Sequence, residues 1–151
     1  MANTNSHPFF LSANQAQGLA NYTPARIVEP STKTIYVSGT SSRRGDGTWA
    51  GVKEDTDGRL ELNIREQTEA VLSNIDGVIR GATDGKGSIA DIVDATIFLV
   101  NIKDDYSGMN EEWNKVFPEK TAAPARTTVE VRALPDPRLL VEIKCTAVVS
   151  I

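Results

Sequence analysis

Residues 123–143 read APARTTVEVRALPDPRLLVEI, and the alternation on either side of the prolines makes this stretch two extended segments joined by a turn. Thr127, Val129 and Val131 share one face of the first segment, and Arg126, Thr128 and Glu130 share the other. In the second, Leu139, Val141, Ile143, Cys145, Ala147 and Val149 form an apolar row, while Leu140, Glu142, Lys144, Thr146 and Val148 face the opposite way. Pro135, Asp136 and Pro137 supply the turn, because proline presets φ and cannot continue a central strand. Each segment thus places a charged side chain where a half-buried sheet normally carries an apolar one, and the alternation predicts a polar face holding both Arg126 and Glu142. An arginine keeps its proton and is costly to bury alone, so Arg126 needs an anion. That anion is either Glu142, in a cross-strand ion pair, or the carboxylate of a ligand.

Length and composition bound what such a site can do. At 151 residues with no shift in composition, the chain is a single domain. A net charge of −4 argues against nucleic acid as a partner, since neutralising phosphates takes a basic patch. No run approaches the ~18 apolar residues of a membrane span, and the N-terminus lacks the basic and apolar regions of a signal peptide. A cytoplasmic protein with no membrane partner is expected. The one cysteine, Cys145, excludes an intramolecular disulfide and falls on the apolar row of the last segment, where a buried thiol outweighs a nucleophile. The one histidine, His7, sits in a polar N-terminal stretch. No imidazole is therefore in place for zinc, for a Ser-His pair or for a His base, and no metal site is expected. Arginine, carboxylates, hydroxyls and backbone groups are left to carry any chemistry.

In chain order, residues 1–20 read as a loosely held tail and residues 21–151 as the domain, with Phe9, Phe10 and Leu11 as an apolar cluster that docks on something. Residues 25–29 and 33–38 read as a hairpin around Pro30 and Ser31. Residues 39–47 form a loop carrying Arg43 and Arg44, which is either a solvated turn or, just past a strand end, a source of cations for an anion held by Arg126. A short strand over 49–52 and a turn over 55–58 lead to a helix over 62–80, where Ile64, Val71, Leu72, Ile75, Val78 and Ile79 recur at helical spacing and Gly81 reads as the C′ residue. Ser88 and Asp91 form a capping box, residues 93–100 a strand buried on both faces, and residues 106–117 a second helix capped by Asp104 or Asp105. Its inward stripe is Tyr106, Met109, Trp113, Val116 and Phe117. The order predicts an α+β fold, two helices on one face of a mixed β-sheet, whose other face needs cover from outside the monomer.

PARTTVEV followed by LPDPRLLVEI resembles the C-terminal signature of the Rid (reactive intermediate deaminase, YjgF-like) family, whose members hydrolyse enamines and imines to ketones and ammonia. VSGTSSRR, residues 37–44, resembles more particularly the 2-aminomuconate deaminase branch, and the similarity runs from about residue 22 to the C-terminus. The resemblance implies a chorismate-mutase-like fold and a homotrimer with its sheets inward and its active sites between subunits, the pairing of trimers into hexamers being left open. It implies no cofactor. It puts the substrate-clamping arginine at Arg126, the water-positioning glutamate at Glu142, and further substrate contacts at Ser38, Tyr22 and Asn110. Trp113 stands where the family usually has tyrosine, Thr128 where it often has cysteine or serine, and Thr40 where it often has glutamine. On this reading Arg126 grips the carboxylate beside the C=N bond, Glu142 steers water, and Arg43 or Arg44 takes the distal carboxylate of 2-aminomuconate, giving 4-oxalocrotonate and ammonia. The alternatives are a general deaminase of 2-aminoacrylate-type intermediates, a ribonuclease-like member, and a non-catalytic module that binds small carboxylates.

Overall fold

The chain forms, in order, β1 (Ser6–Phe9), β2 (Ala25–Val28), β3 (Thr32–Thr40), β4 (Val52–Glu54), β5 (Leu60–Leu62), α1 (Ile64–Ala82), a 3-10 turn (Ile89–Asp91), β6 (Ile92–Leu99), α2 (Ile102–Val116), β7 (Ala125–Glu130) and β8 (Val141–Ser150). This arrangement comes from a computed structural model, which describes residues 5–15 and 20–150.

Both helices start on an asparagine. The Asn63 side chain accepts from the backbone N–H of Arg65 at 3.0 Å and of Glu66 at 3.1 Å, and Asn101 accepts from that of Asp104 at 3.4 Å. Such caps satisfy donors that have no partner inside the helix. Because Asn101 takes this role, α2 begins one turn before the predicted 106, and Asp104 and Asp105 fall inside its first turn, where their charge suits the helix dipole. Helix α1 runs through Gly81 to Ala82, with Thr83 as its C-cap in place of the expected stop. The Ser88–Asp91 capping box forms as predicted.

Four strands make the main sheet in the order β3-β8-β6-β7. β8 is antiparallel to both β3 and β6, whereas β6 and β7 are parallel, a connection that needs a crossover and receives it from α2. The sheet is mixed and both helices pack on one face, the α+β architecture expected. Between them Val71, Leu72, Ile75 and Ile79 of α1 and Met109 and Trp113 of α2 meet Val37, Ala95, Ile97, Leu99, Val141, Ile143, Cys145 and Ala147 of the sheet, all buried. The other face is open at β3, where Tyr36 is 79% exposed.

One expected pairing is replaced by two others. Residues 25–29 and 33–38 do not form a hairpin: β2 pairs with β1, and β3 with β8. The reason is burial, since pairing with β8 sets Ile35 and Val37 opposite Ala147 and Cys145 over the helices, which a bare hairpin could not do. The supposed tail thus holds a strand, tied down where Arg26 donates to Ser6 Oγ at 2.8 Å and to the Ala123 carbonyl at 3.2 Å. Phe9 and Phe10 remain exposed. Residues 1–4 and 16–19 of that segment lie outside the described residues.

Candidate active site

Helix α2 presents Ile102, Tyr106, Asn110 and Trp113 along the side that meets β7, a spacing of about one turn each. The segment before β2 is fastened to this helix: the Trp113 indole N–H donates to the Asn21 carbonyl at 3.0 Å, and the Asn21 amide donates to the Phe117 carbonyl. Thr23 N–H donates to the Pro124 carbonyl at 3.4 Å. Together these bonds set Tyr22 against the guanidinium of Arg126, 5.5 Å from ring centroid to Cζ, with Trp113 beneath at 5.0 Å. Arg126 Nη1 donates to Asn110 Oδ1 at 2.8 Å.

Arg126 is only 9% exposed. Burial pushes its pKa down, while the Tyr106 hydroxyl and Tyr22 favour its charge. A guanidinium is not deprotonated in proteins, so Arg126 keeps its charge. Among the described residues no carboxylate forms an ion pair with it. It opens instead on a cavity of about 490 Å³ lined by Tyr22, Ile102, Lys103, Tyr106, Arg126 and Thr128. Thr128 Oγ1, buried in that lining, has no hydrogen-bond partner among the described residues. A fixed cation facing a cavity, with an unused hydroxyl beside it, has the chemistry to receive an anion.

Glu142 is elsewhere. On β6, Ala95 lies opposite both Arg126 and Cys145, and Phe98 lies opposite both Val129 and Glu142. Cross-strand partners share a face, and Ala95 and Phe98, an odd number of residues apart, face opposite ways. The expected polar face carrying both charges is therefore absent: Arg126 points to the helix side and Glu142 to the open side. Nor can the two form a cross-strand ion pair, because β6 separates β7 from β8. On the open side Glu142 lies on the backbone of Gly39, where a methyl group would come within 2.9 Å of the carboxyl carbon. Ser38, next to Gly39, is exposed, in a stretch where the β3–β8 register slips between Val37 and Thr40. Buried Gln67 fixes the approach to β8, donating to the Arg138 carbonyl at 2.7 Å and accepting from Leu140 N–H at 2.9 Å.

The structure thus divides the sequence-predicted residues into two groups, Tyr22, Asn110, Trp113, Arg126 and Thr128 at one edge of the sheet and Ser38 with Glu142 on the opposite face. Arg43 and Arg44 join neither group. Arg43 sits over Trp49 at 5.7 Å, with Arg138 on the same ring at 4.9 Å, and Arg44 donates to Thr48 Oγ1 at 3.3 Å. Their loop follows β3, three strand spacings or ~14 Å across the sheet from β7, so within one chain they do not reach an anion held by Arg126. Arg138 pairs with Asp136 at 2.6 Å and holds that carboxyl down at about 2. A second cavity, of about 300 Å³ between α1 and α2, has its lysine, Lys115, already paired with Glu112 at 2.7 Å. Tyr106 and Lys103 also line the Arg126 cavity; Tyr106 stood on the predicted inward stripe without being singled out as a site residue, whereas Lys103 preceded the predicted helix start, and the signal that finds it is the 103, 106, 110 spacing on a helix capped by Asn101.

The sequence profile of the Endoribonuclease L-PSP family matches residues 13–149. A RutC family protein of Buchnera aphidicola is 37% identical over 79 residues, 52% of this chain and 59% of that protein, so the match spans only about three fifths of its length. A RutC family protein of Aquifex aeolicus is 30% identical over 108 residues, covering 72% of this chain and 80% of the other. A Rid-family protein of unknown function from Yersinia pestis superposes with a TM-score of 0.74 at 23% identity, over 95% of this chain and 98% of that one, a likeness of fold.

Proposed function

Since this chain belongs to the L-PSP/YjgF/Rid family, we propose that it hydrolyses an enamine or imine that carries a carboxylate beside the C=N bond. One observation carries the reading: Arg126 is buried, charged, without an anionic partner among the described residues, and turned into a cavity. Leaving a buried charge unpaired costs several kcal/mol, so the cavity favours a ligand that brings the missing negative charge.

The chemistry asks for little beyond position. A protonated imine is already electrophilic; water adds to its carbon, the C–N bond breaks, and the products are a ketone and ammonium. Arg126 would hold the carboxylate through N–H groups left free by Asn110 and draw electron density from the adjoining carbon. Glu142 would accept a hydrogen bond from the water and carry its proton to the departing nitrogen. For an enamine, the same carboxylate would assist tautomerisation to the imine.

The two groups lie on opposite faces of one sheet, so a site using both takes Arg126 from one chain and Glu142, with Ser38 and Gly39, from the next. Repeated head-to-tail, such contacts close into a ring where the rotation between chains permits, and the homotrimer is the form the resemblance implies. The finer substrate we propose is 2-aminomuconate, supported by the residues at 37–44. The test is ammonia release above the uncatalysed rate from freshly generated 2-aminomuconate and from 2-aminoacrylate. Loss of both activities in Arg126→Ala, with a lower kcat and little-changed KM in Glu142→Gln, is the expected result; undiminished kcat in Glu142→Gln removes the acid from the chemistry and leaves a binding module.

A further inference from the structure

The Arg126 cavity contains a second cation that the sequence pattern did not single out. Lys103 stands in the first turn of α2 and lines the same space. Among the described residues it has no ion pair, although three acids are close to it in the chain or at the helix start. Each of these is otherwise engaged or buried. Glu130 accepts from Ile102 N–H at 2.8 Å, Asp104 accepts from the Asn101 amide at 2.6 Å, and Asp105 is buried. Among the described residues, the six that line the cavity therefore include two cations and no carboxylate.

The spacing gives the second cation a use. Asn110, which anchors Arg126, and Lys103 are seven residues apart on one helix, about 10 Å along its axis at ~1.5 Å per residue. An extended diacid of roughly six carbons covers much of that distance, and a flexible lysine side chain makes up the remainder. A monoacid of the same length would leave Lys103 in water. The loop arginines cannot take this part within one chain, since they lie beyond the far edge of the sheet.

We propose that Lys103 binds the distal carboxylate and so makes the site selective for dicarboxylate over monocarboxylate substrates. This rests on reading the Arg126 cavity as a carboxylate site, and the experiment separates the two claims. Titration calorimetry on the full chain compares trans,trans-muconate with sorbate, the same six-carbon diene lacking one carboxylate. Wild type should bind muconate roughly tenfold or more tightly, the scale of one charge-assisted hydrogen bond, and the ratio should shrink with added salt. In Lys103→Met the ratio should fall to near unity through weaker muconate binding, and Lys103→Arg should restore most of it. Arg126→Ala should bind neither acid. A ratio unchanged in Lys103→Met but abolished in the Arg43→Ala, Arg44→Ala double variant would overturn the proposal while keeping the carboxylate site, and wild type that bound neither acid would overturn both.

Discussion

Mixing two inactive variants is the sharpest test of a site divided between chains. Arg126→Ala removes the grip on the carboxylate. Two charge-assisted hydrogen bonds at roughly 1.5–3 kcal/mol each amount to about 3–6 kcal/mol, or roughly 10²–10⁴-fold in kcat/KM. Glu142→Gln keeps the shape and removes the proton acceptor. Neither alone should turn over substrate appreciably. When equal amounts are unfolded together and refolded, an interface is intact when the Glu142→Gln chain supplies Arg126 and the Arg126→Ala chain supplies Glu142. In a closed head-to-tail ring each condition holds at half of the interfaces, so about a quarter of wild-type activity should return, whatever the number of subunits. Ammonia release reads the outcome, and the same variants refolded apart and then mixed serve as the blank. A co-refolded mixture no more active than that blank would refute the reasoning, because it would mean that the opposite-face placement of Arg126 and Glu142 is not resolved by a neighbouring chain.

Three further outcomes follow from individual side chains. Gly39→Ala pushes a methyl group into the Glu142 carboxyl carbon, within 2.9 Å, and the flexible acid must swing aside; kcat should fall roughly 10- to 100-fold while the thermal midpoint barely moves, and an unchanged kcat would show that the acid acts from some other position. Burial, and secondarily the charge of Asp104, pushes the Asp105 carboxyl pKa up, and its Oδ2 has no hydrogen-bond partner among the described residues. A raised folded-state pKa favours folding in acid, and that stability is lost as pH rises through the folded value. Asp105→Asn should therefore gain about 1 kcal/mol in urea unfolding at neutral pH, and the gain should vanish by about pH 3. Cys145, buried and pushed up to about 12, should resist iodoacetamide in the native protein at mildly alkaline pH and take up one label once unfolded; native-state labelling at the unfolded rate would contradict its burial.

Local rules were legible in the sequence wherever the deciding atoms are a few residues apart. The Ser88–Asp91 box, the α1 stripe apart from Val78, which is exposed, and the turn after Glu54 all answer to contacts inside one element or one loop. The choice of strand neighbours is not of that kind. Alternation assigns each residue of β7 and β8 to a face of its own strand, but which faces coincide depends on β6, thirty residues upstream in the chain, sliding between them. A single odd offset on β6, Ala95 against Phe98, turns one predicted polar face into two separate ones. The cavity was missed for a different reason. Two acids at Asp104 and Asp105 made a more conspicuous cap than Asn101, and with the helix started one turn late Lys103 belonged to no helical face at all.

The division of the site also explains what each half is built upon. Arg126 needs an immobile guanidinium, and it has one because Asn110 and Trp113 stand on a helix whose end is tied through Asn21. Glu142 needs closeness to another backbone, and it has that because a glycine lets the carboxyl settle on β3 and because buried Gln67 fixes the chain entering β8. Neither set of supports includes a residue of the other, yet both hang from the same four strands. A change in the core that tilts α2 should loosen carboxylate binding and spare the position of the acid, whereas one at Gln67 should do the reverse. In a single chain this independence would be a defect, since nothing would hold cation and acid in register. In the proposed ring it would let each subunit offer a rigid clamp on one side and a rigid acid on the other, leaving their mutual distance to be set by packing between chains.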